Sequence, residues 1–110
     1  RPALGISMLE DYMKLRYYGE KGVAVSYVAE LGPAKKAGLR GISKDQNGRI
    51  YLGDLLLKMN ETEINSHDDI YHALDKLKIG DSIKITYSRE GKKLTTNLKL
   101  ESTNDIKFEK

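Results

Sequence analysis

Ser66-His67-Asp68-Asp69-Ile70-Tyr71-His72-Ala73-Leu74-Asp75-Lys76-Leu77-Lys78-Ile79-Gly80 runs without a break into Asp81-Ser82-Ile83-Lys84-Ile85-Thr86-Tyr87-Ser88-Arg89-Glu90-Gly91-Lys92-Lys93-Leu94-Thr95-Thr96-Asn97-Leu98-Lys99-Leu100. Two periodicities stand back to back in it. In the first half Ile70, Leu74 and Leu77 fall at i, i+4 and i+7, one face of a helix. Ser66 and Asp69 have the spacing of a capping box, with Asp in place of the commoner Glu. Asp68 and Asp69 sit in the first turn and Lys76 and Lys78 in the last, which suits the helix dipole, and Gly80 is placed to cap the end. In the second half Ile83, Ile85 and Tyr87 alternate with Ser82, Lys84 and Thr86, and Leu94, Thr96, Leu98 and Leu100 alternate on the way back. Period two is the pattern of half-buried strands, and Arg89–Lys92 around Gly91 supplies a tight turn. The pair reads as a helix followed by a β-hairpin.

Working outward, Gly22–Ala29 reads as a strand buried on both faces, because Val23, Val25 and Tyr27 alternate with Ala24, Ser26 and Val28. Gly32-Pro33-Ala34-Lys35-Lys36-Ala37-Gly38 reads as a short helix with Pro at its first position and Gly at its end. Residues 50–60 form a strand region interrupted at Gly53-Asp54, and Asn60-Glu61 turns the chain. Residues 4–8 are a short apolar strand. Residues 9–21 fit a helix, a loop or both, and residues 41–49 read as a polar surface loop. The result is five or six short strands and two helices. Strands do not alternate regularly with helices, so the expected fold is mainly β (α+β): a small, partly open β-barrel or sandwich with a helix over one gap.

The 110 residues suit one domain, expected over residues 1–101 with a polar tail at 102–110. No cysteine is present, which removes disulfides and thiolate metal sites from consideration. The longest apolar run, Leu55-Leu56-Leu57, is far short of the about 20 residues a membrane helix needs, so no membrane insertion is expected. No basic-then-apolar leader opens the chain, and Arg1-Pro2, close ahead of strand-like sequence, reads as the start of an excised segment. The net charge of +3 comes from 19 basic and 16 acidic residues, which are interleaved, and seven of the eight aromatics are scattered tyrosines. A nucleic-acid reader would cluster its positive charge and add stacking aromatics, so no nucleic-acid partner is expected.

Enzyme chemistry finds no purchase either. His67 and His72 are the two histidines. Five residues on a helix are about 500° of rotation, about 140° after a full turn, so they point to different sides and do not share a metal. There is no Gly-x-Ser-x-Gly elbow, no serine-protease triad signature and no phosphate loop. No catalytic residue, metal or cofactor is expected in this chain.

Four motifs, in order, carry a resemblance. Arg1-Pro2-Ala3-Leu4-Gly5-Ile6 looks like a carboxylate-binding loop entering a groove strand. Gly32-Pro33-Ala34 with Ala37-Gly38-Leu39 looks like the family's short helix. Leu52-Gly53-Asp54-Leu55-Leu56 looks like its Gly-Asp strand start. Asp69–Leu74, Gly80-Asp81 and the hairpin complete the set. Together they resemble the PDZ domain in the arrangement of the HtrA/Deg (DegP-like) serine proteases, with the loop at the start of the domain. The long 41–49 stretch is similar to the Deg proteases of plastids and cyanobacteria. Two departures stand out: Asn60-Glu61 where relatives often have Asn-Gly, and Ala3-Leu4 where many begin the loop with an aromatic residue.

The resemblance implies a PDZ-like fold with a groove helix, and a peptide-binding site made of Arg1, Ala3, Leu4, Gly5, Ile6, Ser7, Met8, Ile70, Tyr71 and Leu74. It implies capture of hydrophobic C-termini or extended segments of other proteins by strand addition, a mode for which PDZ domains are an established example. It implies a homo-oligomeric parent serine endopeptidase of protein quality control, with a protease domain in the same polypeptide, in the chloroplast (thylakoid) or bacterial periplasm. A PDZ module of another protease class or of an adaptor is the alternative. Gly5 lets the loop backbone approach a carboxylate closely, and Arg1 adds charge nearby. Each has a plainer reading: Gly5 as a strand bend, Ile70 and Leu74 as core. Gly5→Asp is therefore expected to weaken binding without unfolding the domain.

Overall fold

The structure, a computed structural model, describes residues 2–103. In chain order the elements are β1 (Pro2–Ala3), β2 (Ile6–Met8), α1 (Asp11–Tyr18), β3 (Val23–Val28), α2 (Pro33–Lys36), β4 (Ser43–Lys44), β5 (Ile50–Tyr51), β6 (Leu55–Met59), β7 (Thr62–Glu63), α3 (His67–Asp75), β8 (Ser82–Arg89), β9 (Lys92–Lys99) and β10 (Glu101–Ser102). The main antiparallel sheet has the order β2-β3-β6-β8-β9, with β7 paired to β6. This is the mainly β fold, with a helix over one gap, that the periodicities foretold.

The hairpin is its backbone. β8 and β9 pair in unbroken register from Ser82↔Lys99 to Arg89↔Lys92. Glu90 and Gly91 both take positive φ, 52° and 80°, the backbone of a two-residue turn that matches strand twist. Ile83, Ile85, Tyr87 and Leu98 face inward and meet Val23, Val25, Leu56 and Met59 from the other strands. α3 closes this core by burying Ile70 and Leu74. Ser66 caps α3 by accepting from the Asp69 N–H, while the Asp69 carboxylate accepts from the Asn65 N–H, so the box closes one residue further back than its usual form. α3 ends at Asp75, earlier than Gly80, because Lys76 and Leu77 tighten onto the carbonyls of Ala73 and Leu74 and Asp81 accepts from the Lys78 N–H.

The open segment 9–21 resolves into a third helix, α1. Its apolar residues show no one-sided spacing, and Tyr12, Leu15 and Tyr17 are exposed. Polar anchors hold it instead. The buried Lys14 donates to the carbonyls of Glu20 (2.7 Å) and Asn65 (3.4 Å), and the Tyr18 hydroxyl donates to the Gly53 carbonyl (2.8 Å). The 41–49 stretch is one arm of a small hairpin, β4 paired with β5, around a turn in which Asp45 accepts from the N–H groups of Asn47 and Arg49. Tyr27 and Val28 are less buried than the first half of β3, so that strand is covered on both faces only over Val23–Val25. At the other end β10 pairs with β1, Pro2↔Ser102 and Ala3↔Glu101, so the strand pairing runs past 101 to Ser102. Residues 104–110 of the expected tail lie outside the described residues.

Candidate functional site

Between β2 and α3 lies a cleft of about 240 Å³, lined by Pro2, Ala3, Leu4, Gly5, Ile6, Met8, Ile70, Tyr71, Leu74 and Thr103. Of the residues the sequence singled out, Ala3, Leu4, Gly5, Ile6, Met8, Ile70, Tyr71 and Leu74 therefore meet at one place. Ser7 does not line it: the side chain is exposed and β2 turns it to the other face. Arg1 lies outside the described residues. Ile70 and Leu74 are both core and lining, so neither of the two readings excludes the other. Pro2 and Thr103 were missed. Thr103 fell in the stretch read as tail, and what places it here is the β1–β10 pairing, a contact between chain ends that no local pattern announces.

The wall on the β2 side is built from main chain. β2 is the end strand of the sheet, with β3 on one edge. The Leu4 carbonyl accepts from the Ala34 N–H (3.0 Å) and the Gly5 carbonyl from the Ala29 N–H (2.8 Å). In a trans peptide the next N–H points opposite to the carbonyl, so the N–H groups of Gly5 and Ile6 turn away from α2 and β3. The ladder continues the argument. Ile6 pairs with Val28, Ser7 with Tyr27, and, after a bulge, Met8 with Val25. Because the bonds on either side of Ile6 and of Met8 belong to their neighbours, the N–H and C=O groups of Ile6 and Met8 face the outer edge. Such an edge is a template for one more strand.

Gly5 is what allows the bend. Its φ is 77°, and a Cβ there would lie 3.0 Å from Pro33 Cδ. The first is a left-handed conformation that favours glycine, and the second is tighter than ordinary contact. Gly5→Asp is therefore strained in the fold itself, which corrects the expectation of a change that touches binding alone.

The far wall is α3, with Ile70 and Leu74 behind and Tyr71 half-exposed at the rim. The site thus offers a mainly aliphatic slot, two outward amides at one end that can take an anion, and a strand edge to which, among the described residues, no further strand is paired. Among the described residues no three His, Asp or Glu side chains gather as a metal site.

These features together define a small, mainly β domain with an aliphatic cleft between its end strand and a helix. The PDZ domain family matches residues 2–100, and this chain belongs to it. Among curated proteins it is 35% identical over 105 residues to Protease Do-like 1, chloroplastic, of Arabidopsis thaliana, covering 96% of this chain and 24% of that protein. It is also 35% identical over 116 residues to the serine protease Do-like HtrA of Lactococcus lactis subsp. cremoris, covering 96% of this chain and 26% of that protein. The chain thus spans about a quarter of these relatives' length. Among solved structures, the HtrA3 PDZ domain bound to a phage-derived ligand (FGRWV) superposes with a TM-score of 0.69 at 16% identity, over 92% of this chain and 86% of that one. The HtrA-type protease AlgW with a decapeptide superposes with a TM-score of 0.68 at 20% identity, over 100% of this chain and 30% of that one.

Proposed function

We propose that this domain captures peptide chains by their C-termini, with an apolar last residue in the β2–α3 slot, as the substrate-binding or regulatory part of a larger HtrA/Deg-like serine endopeptidase engaged in protein quality control. The observation that carries the reading is the orientation of Ile6 and Met8: their main-chain groups face an open cleft whose other wall is aliphatic. A peptide laid antiparallel to β2 meets those groups as a further strand. Its terminal carboxylate then reaches the Gly5 and Ile6 amides, and its last side chain enters between Ile6, Ile70 and Leu74. The peptides named in the related structures, and the Do-like proteases among the relatives, support the peptide ligand and the protease parent. The chloroplastic and bacterial origins of those relatives support a chloroplast or periplasmic setting.

The test is a titration with FGRWV as the free acid, its C-terminal amide, and FGRWD. Losing a buried Val-sized side chain forfeits about 1.5–3 kcal/mol, so FGRWD is expected to bind at least about tenfold more weakly. The amide is expected to lose affinity as well, because it brings no charge to the loop. Equal affinity for all three defeats the proposal. For the parent, the rest of the polypeptide is expected to carry a His, an Asp and a Gly-Asn-Ser-Gly-type serine.

A further inference from the structure

We propose that the groove is closed at its far end, where His67 holds Leu9 and α1 begins, so that it strand-pairs only the last three residues of a ligand and is indifferent to what precedes them. This rests on the peptide-capture reading above.

The closure is visible in the residue after β2. The Leu9 N–H donates to the Ala24 carbonyl at 2.8 Å, and the Leu9 carbonyl lies 3.0 Å from His67 Nε2. A carbonyl only accepts, so Nε2 carries the hydrogen and donates it, whichever charge the ring has. Both main-chain groups of Leu9 are thereby engaged, and its side chain is buried. His67 is the first residue of α3, so this bond ties the end of β2 to the start of the helix across the groove. Asp11, at the start of α1, stands 3.8 Å from the same nitrogen, and α1 begins three residues after Met8. The cleft lining agrees: it runs along β2 as far as Met8 and along α3 no nearer its start than Ile70.

Counting outward-facing groups gives the length. Ile6 and Met8 each present one N–H and one C=O. In an antiparallel ladder each such residue faces one ligand residue, and the ligand residue between them points its groups away. With the carboxylate at the Gly5 end, the last residue pairs with Ile6 and the third from the end pairs with Met8. A fifth-from-last residue would need an outward pair two positions beyond Met8. That position is Glu10, which follows the tether and caps α1, its carbonyl accepting from the N–H groups of Met13 and Lys14.

The test uses the domain with N-acetylated RWV, GRWV and FGRWV, each a free acid. A continued ladder adds about two hydrogen bonds per pair, each about 0.5–1.5 kcal/mol, and so raises affinity about fivefold or more. The closed groove predicts dissociation constants within about threefold across the series, since no new pair forms beyond the tripeptide. Amide shifts on binding FGRWV are expected at Gly5, Ile6 and Met8 and not at Glu10–Tyr12. A rise of about fivefold or more from RWV to FGRWV in the wild-type domain overturns the inference alone, and that series needs no variant to fold. Failure of all three peptides to bind overturns the capture reading and the inference with it.

Discussion

The Asp54 carboxylate receives two hydrogen bonds from the Arg89 guanidinium, Nε to Oδ1 and Nη2 to Oδ2, each 2.8 Å, and a third from the Arg40 N–H at 2.8 Å. Asp54 is 1% exposed. The guanidinium also donates to the Gly38 carbonyl, so one ion pair ties the end of β8 to the start of β6 and the loop after α2. The pairing with Asp54 holds the Arg89 guanidinium above its already high range, and burial opposes this. Loss of the Asp54 carboxylate would leave the partly buried Arg89 guanidinium and the Arg40 N–H without their acceptor. Asp54→Ala is therefore expected to destabilise the domain by about 3 kcal/mol. Arg89→Lys keeps the charge but not the two-pronged geometry and is expected to cost about 1–2 kcal/mol. Urea unfolding of both variants checks this, and a double mutant no worse than Asp54→Ala is the mark of a coupled pair.

Two glycines are held by their surroundings. A Cβ on Gly53 would lie 2.1 Å from the Val25 carbonyl oxygen, where β3 and the start of β6 run against each other. Gly53→Ala must push that backbone apart, and the expected outcome is a loss of more than about 3 kcal/mol, with the domain largely unfolded at 37 °C. Gly5→Ala meets a softer neighbour, Pro33 Cδ at 3.0 Å, but must hold a φ of 77°. Its expected cost is about 1–2 kcal/mol. Thermal melts rank the two, and a Gly5→Ala domain as stable as wild type would show that the loop relaxes.

Asp45 gives the arm a pH dependence. N–H donation from Arg49, then from Asn47, together with the Tyr51 hydroxyl, holds its carboxyl below the ordinary aspartate range, and desolvation opposes this only in part. A carboxyl depressed in the folded state contributes stability that is present above its unfolded pKa of about 3.9 and is lost as the pH falls through the folded value. The arm is therefore expected to stay ordered from neutral pH down to about pH 4, then loosen locally below it. The amide shifts of Asn47 and Arg49 should move together in that range. In Asp45→Ala they should already sit near the loosened values at pH 7.

The two halves of the 66–100 stretch were legible because each is a local device. A strand face repeats every second residue and a helix face about every 3.6, and a buried side must be apolar at that spacing wherever the element ends up. The same holds for Pro33 opening α2 and for the break at Gly53-Asp54. The tertiary structure decided the features that depend on contacts between distant parts of the chain. α1 is held by Lys14 on the Asn65 carbonyl and by Tyr18 on the Gly53 carbonyl, 51 and 35 residues away, and neither bond leaves a periodic trace. The pairing of Pro2–Ala3 with Glu101–Ser102 brings Thr103 to the cleft. His67 reaches a carbonyl 58 residues away. Sequence fixes which side chains must be hidden, because hydrophobic burial acts on each element's own face. Which backbone groups remain open to a partner is fixed only when the elements meet, because a hydrogen bond needs its donor and acceptor within about 3 Å.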